Sequence, residues 1–116
     1  MTTDFTINSH FVSKEPVVSQ IYDSLIKAIK RLGELQEEPH KTSIHLVNRS
    51  ALAGVTTRKG YILLNIKTDY PIENPRITKT EKVSRNRFHH LVKLEKPEDV
   101  DSELLKWLTD AYQLSG

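Results

Sequence analysis

A chain of 116 residues, 37% hydrophobic and 28% charged, has the size and composition of one globular domain with one core. It holds no cysteine, which excludes disulfides, thiolate metal sites and cysteine nucleophiles and fits a reducing, cytoplasmic setting. The net charge of +2 conceals an asymmetry: residues 41–93 carry eleven Lys/Arg against three acids (+8), and the remainder carries six against twelve (−6). A basic middle between acidic ends suits an anion-facing surface, and equally a basic sheet complemented by acidic flanking helices.

The start, MTTDFTINSHF, has neither a basic head nor an apolar run, so a signal peptide is not expected. No apolar stretch approaches the roughly 18 residues that span a membrane. Residues 1–13 read as a loose arm in which Phe5, Ile7 and Phe11 alternate, so that part of it can dock. Residues 14–116 read as a single domain. Pro16 suits a first helical turn, and Val18, Ile21, Tyr22, Leu25, Ala28, Ile29 and Leu32 follow at the spacing of one helix face, ended by Gly33. ELQEEPH reads as a charged connector.

Strands follow. TSIHLVN alternates, NRS turns the chain, and ALAGV is a short second strand. TTRKG is a second turn, and YILLNIK a third strand with Ile62, Leu64 and Ile66 on one side. TDYPIENPR, with two prolines, is a loop. RITKTEKV is a faintly alternating edge strand, and RFHHLVKL a strand with Phe88, His90, Val92 and Leu94 on one side. PEDVD opens a final helix with its acids near the positive end, and Val100, Leu104, Leu108 and Ala111 form its stripe. The expected fold is therefore α+β: an antiparallel sheet of four to five strands with the N- and C-terminal helices packed on one face. The other face would carry Ser43, His45, Val47, Tyr61, Leu63, Asn65, Arg87, His89, Leu91 and Lys93, a mixed surface of the kind that meets a ligand, a second subunit or the arm.

The segments KTSIHLV, ALAGVTTRKGYILLNI, YPIENPRI, KVSRNRFHH and DVDSELLKWLTDAYQLSG together resemble a bacterial family, the domain of unknown function numbered fifty-six fifty-five, often labelled "predicted transport protein". The resemblance spans about residues 16–116. It implies a small soluble α+β domain with no established activity, so it supplies no functional residue. The transport label has no physical counterpart in a chain this short that lacks a spanning segment.

Chemistry is tested on the residues themselves. Five histidines are present, without an HExxH or HxH pattern. In SRNRFHHLVKL the adjacent His89 and His90 point to opposite faces of a strand and cannot share an ion. His90 belongs to the core as a hydrogen-bonded histidine, and His89 points outward. No metal site and no cofactor are expected. There is no GxSxG elbow, no GxxxxGK[ST] and no GxGxxG. Ser43 or Ser84 could meet His45 or His89, but few acids accompany them, and the balance is against an enzyme; no catalytic residue is assigned.

Binding is the better-supported class. Arg49, Arg58, Lys59, Arg76, Arg85 and Arg87 lie in turns and loops as candidate anion ligands, since arginine forks match phosphate and carboxylate. His45, Tyr61 and His89 on the open face could stack bases. The expected partner is nucleic acid or a small anion. The alternative is a homodimer or protein-docking face built on Val47, Leu63 and Leu91.

Overall fold

The computed structural model describes residues 6–116. A 3-10 turn, Asn8–Phe11, precedes helix α1, Pro16–Lys30. Strands β1 (Gln36–Pro39), β2 (Ile44–Val47), β3 (Ala51–Thr57), β4 (Ile62–Thr68), β5 (Ile77–Ser84) and β6 (Arg87–Leu94) follow. A 3-10 turn, Pro97–Asp99, leads into helix α2, Ser102–Leu114. The six strands form one antiparallel sheet in the order β1-β2-β3-β4-β6-β5.

The fold is the expected α+β arrangement with one strand more than four to five. The extra strand is β1, in the segment read as a connector. Its QEEP sequence has no strand pattern, and it forms because β2 offers it an unpaired edge, with Glu38 opposite His45. Pro39 closes it, as proline does only at an edge.

Strand alternation divides the sheet. Ile44, Leu46, Val55, Ile62, Leu64, Ile66, Val92 and Leu94 face the helices and are fully buried. At the β2–β3 pairing a bulge places Leu52 and Ala53 opposite Leu46, so both are buried before alternation resumes at Gly54. Helix α1 presents Val18, Ile21, Tyr22, Leu25, Ile26 and Ile29 to this layer, and α2 presents Leu104, Trp107, Leu108 and Ala111. Each fully buried aliphatic side chain stabilises by about 1.5–3 kcal/mol, so truncating central Leu64 to Ala costs about 2–5 kcal/mol.

Helix α2 begins later than PEDVD suggested. Asp101 is its N-cap, accepting from the Leu104 amide at 3.0 Å, and the acids before it form the 3-10 turn. Within the segment read as an arm, Ile7 and Phe11 pack on the core, and the Phe11 ring lies 5.2 Å from that of Tyr22. Phe5 lies outside the described residues. His90 is fully buried, with Nε2 2.8 Å from Thr68 Oγ1 and 3.2 Å from the Tyr70 carbonyl, and Nδ1 3.2 Å from Thr80 Oγ1. Both ring nitrogens are occupied, which is the satisfied core histidine that the alternation of FHHLV implies.

Candidate functional site

The face of the sheet away from the helices is built from rows that the register fixes. His45 lies opposite Gly54, Gly54 opposite Asn65, and Asn65 opposite Leu91. The adjacent row sets Lys67 beside His89 and His89 beside Glu81. A groove of about 350 Å³ crosses this face, lined among others by His45, Gly54, Leu63, Asn65, Lys67 and His89. A second hollow shares Asn65, His89 and Leu91 with it and extends to Lys79 and Glu81 on β5.

Gly54 forms the floor of the groove. A Cβ built on it meets nothing within 4 Å. Glycine weakens a strand interior by about 0.5–1 kcal/mol relative to alanine, and its backbone here is not in the left-handed region. Its effect is to leave the centre of the sheet open. Beside it Asn65 Oδ1 is buried without a partner among the described residues. Such an acceptor costs about 1–3 kcal/mol unless a donor reaches it.

The electrostatics centre on Lys67. Burial pushes the His89 imidazole below its usual pKa, and the Lys67 ammonium lowers it further, against a smaller opposing pull from Glu81. Burial also lowers His45, helped by His40 and Lys67 and opposed by Glu38. Both imidazoles are therefore biased to the neutral form, and the positive charge of the groove resides on Lys67. His45 and His89 come from β2 and β6, which do not pair; they share the groove with Lys67 between them. The His40 and His45 rings lie 4.0 Å apart. Tyr61 stands just before β4, and Lys93 Nζ sits 4.4 Å from its ring centroid, so one ring face is already covered by a cation.

The six basic candidates do not form one cluster. Arg49, in the β2–β3 turn, and Arg85 and Arg87, at the β5–β6 turn, lie at one end of the sheet. Arg58, Lys59 and Arg76 lie at the other. Two of the turns are braced by helices: the Ser50 amide donates to the Ser115 carbonyl at the end of α2, and the Glu15 amide at the start of α1 donates to the Lys59 carbonyl. Arg76 is engaged internally. Its guanidinium donates to Asp101 Oδ1 at 2.9 Å, to Glu103 Oε1 at 3.3 Å and to the Asp99 carbonyl at 2.7 Å. Arg87 donates to the neighbouring Asn86 carbonyl.

No group of three or more His, Cys, Asp or Glu suited to a metal occurs among the described residues, and no hydrogen bond there joins Ser43 or Ser84 to His45 or His89. Gly54 and Lys67 were not singled out from sequence, and Asn65 was placed on the open face without being taken as a site residue. A glycine inside ALAGV and an amide inside YILLNIK, each breaking an apolar strand on the same face, are the signals that mark them.

A family model described as Domain of unknown function (DUF5655) matches residues 7–115, nearly the whole chain. Neither the curated proteins nor the solved structures give a match. Among the described residues no helix is long and apolar enough to cross a membrane.

Proposed function

From a chain that belongs to the DUF5655 family, we propose a non-catalytic binding module that takes an extended polyanion, nucleic acid first among them, along its open sheet face. The observation that carries this reading is the groove floored by Gly54, with half-buried Lys67 inside it. Basic turns at both ends extend its reach. The seven residues of β3 separate those ends by about 20 Å, at roughly 3.3 Å per residue. Charge at two ends with a cation between suits a chain of phosphates better than one compact anion. Asn65 and the neutral His45 and His89 offer hydrogen bonds to bases. A homodimer through this face is the weaker reading. The large apolar side chains exposed among the described residues are Val12 and Val83, neither of them in the groove.

The test is fluorescence anisotropy with single-stranded and duplex oligonucleotides at two salt concentrations. Engaging about four phosphates predicts a roughly 50-fold loss of single-strand affinity between about 50 and about 200 mM salt. Lys67→Gln and Gly54→Val should each weaken binding at least tenfold. Salt-independent binding, or none, rejects the proposal, as does a dimer in sedimentation that covers the groove.

A further inference from the structure

A third hollow adjoins the groove, where the 3-10 turn Asn8–Phe11 meets the end of β3 and the β1–β2 turn. It shares Thr42 and Thr56 with the groove but has its own chemistry. Lys14, Lys41 and Arg58 line it, together with Ser9 and His10, and none of its lining residues is a carboxylate. None of the three cations is in an ion pair among the described residues. Three like charges around one hollow repel one another until an anion enters.

His10 supplies the second, independent observation. It is 9% exposed, yet its Nε2 is buried with no partner among the described residues. The backbone that carries it is tied down. Thr57 Oγ1 donates to the His10 carbonyl at 2.6 Å, and Ile7 and Phe11 on either side pack on the core. Buried polar atoms almost always have partners. His10 is among the residues that line this hollow, and the other lining side chains are cations and hydroxyls.

We propose that this hollow is a binding site for a phosphate-type oxyanion, held by Lys14, Lys41 and Arg58 with the His10 Nε2–H as its directional donor. Arg58 provides a fork for two oxygens, and the lysines provide point charge. Ser9 and Thr42 hydroxyls complete the inventory of donors in the lining. The site stands whether or not the adjoining groove binds a polyanion.

The experiment follows the His10 imidazole resonances of the full chain by NMR as inorganic phosphate is added, against chloride at matched ionic strength. The expected result is a saturable shift with phosphate and none with chloride. The double variant Lys41→Gln/Arg58→Gln, at two exposed positions, should keep the wild-type melting temperature and weaken phosphate at least tenfold. An equal shift with chloride, or undiminished affinity in the double variant, overturns the proposal. Gly54→Val separates the two readings: it should leave phosphate saturation unchanged while oligonucleotide binding falls. Competition by dimethyl phosphate assigns the site to a diester backbone; its failure assigns it to free phosphate or monoesters.

Discussion

Replacing Arg76 with Met tests whether this arginine is a strut or a ligand. The aliphatic stem survives the change, so the loss is confined to the guanidinium contacts. Its side chain is 25% exposed, and the Asp101 and Glu103 carboxylates it meets are about half exposed. Screened by solvent, each ion pair contributes about 0.5 kcal/mol. The bond to the Asp99 carbonyl contributes about 1 kcal/mol. The position over Trp107, 5.9 Å from the ring centroid, contributes about 0.5 kcal/mol. The expected destabilisation is therefore about 2.5 kcal/mol, a fall of roughly 10 °C in Tm at about 4 °C per kcal/mol for a domain of this size. Thermal melts by circular dichroism read it, and high salt should shrink the ion-pair share while sparing the carbonyl bond. Oligonucleotide and phosphate affinity should change less than twofold. A Tm within about 2 °C of wild type, combined with lost anion binding, would refute the assignment of Arg76 to the fold.

His90 predicts a pH dependence. Burial pushes its pKa below the usual 6.5, the Tyr70 carbonyl opposes this in part, and His89 adds to it. The unfolded chain thus takes up protons that the folded chain refuses, so stability is full above about pH 6.5 and falls as pH drops below it. Urea titrations at about pH 7.5 and about pH 5.5 should show this loss, and His90→Gln should reduce it to the share that His45 and His89 carry; equal slopes in both proteins would sink the assignment. Gly33, at φ 152°, should not tolerate alanine, because the new Cβ strikes the Tyr112 hydroxyl that donates to the Glu34 carbonyl. A cost of about 1–3 kcal/mol is expected in the urea midpoint, and a neutral result contradicts the close approach. Gly54→Val should raise stability by up to about 1 kcal/mol while weakening the ligand, an opposition that melts and anisotropy measure on the same sample. A destabilised variant would mean that the space above Gly54 is not open.

The layers of the fold were legible because burial imposes a period. The IxLxI pattern of β4 and the stripe of α1 are direct imprints of one-sided packing. The opposite fates of His89 and His90 follow from the same rule. Strand β1 was illegible because QEEP carries no pattern; it is specified by the edge of β2 and by the Tyr22 hydroxyl donating to Glu37 at 2.6 Å, which are tertiary facts. The basic residues were legible as a set, but their division between two ends depends on register and turn positions. Arg76 looked like any loop arginine until α2 brought Asp101 and Glu103 beside it. The His10 hollow joins positions roughly 30 to 50 apart in the chain, and no local spacing announces it.

The strand order also bears on how the chain reaches its fold. Every neighbouring pair except one is a hairpin, formed by strands consecutive in sequence. The exception is β4 with β6, from Thr68 opposite Phe88 to Ile62 opposite Leu94, which must close over the 69–76 loop and β5. Hairpins form in roughly 1–10 μs. Joining the 36–68 meander to the 77–94 hairpin is the non-local event, and it should limit the folding rate. A slip of one residue there would turn every side chain of β6 over. His90 guards that seam, since its partners Thr68, Tyr70 and Thr80 come from β4, the loop and β5 and meet its ring only in the native register. Val92→Ala at this junction should slow refolding, whereas removing the Tyr22–Glu37 bond at the β1 edge should chiefly speed unfolding. Stopped-flow chevrons distinguish the two.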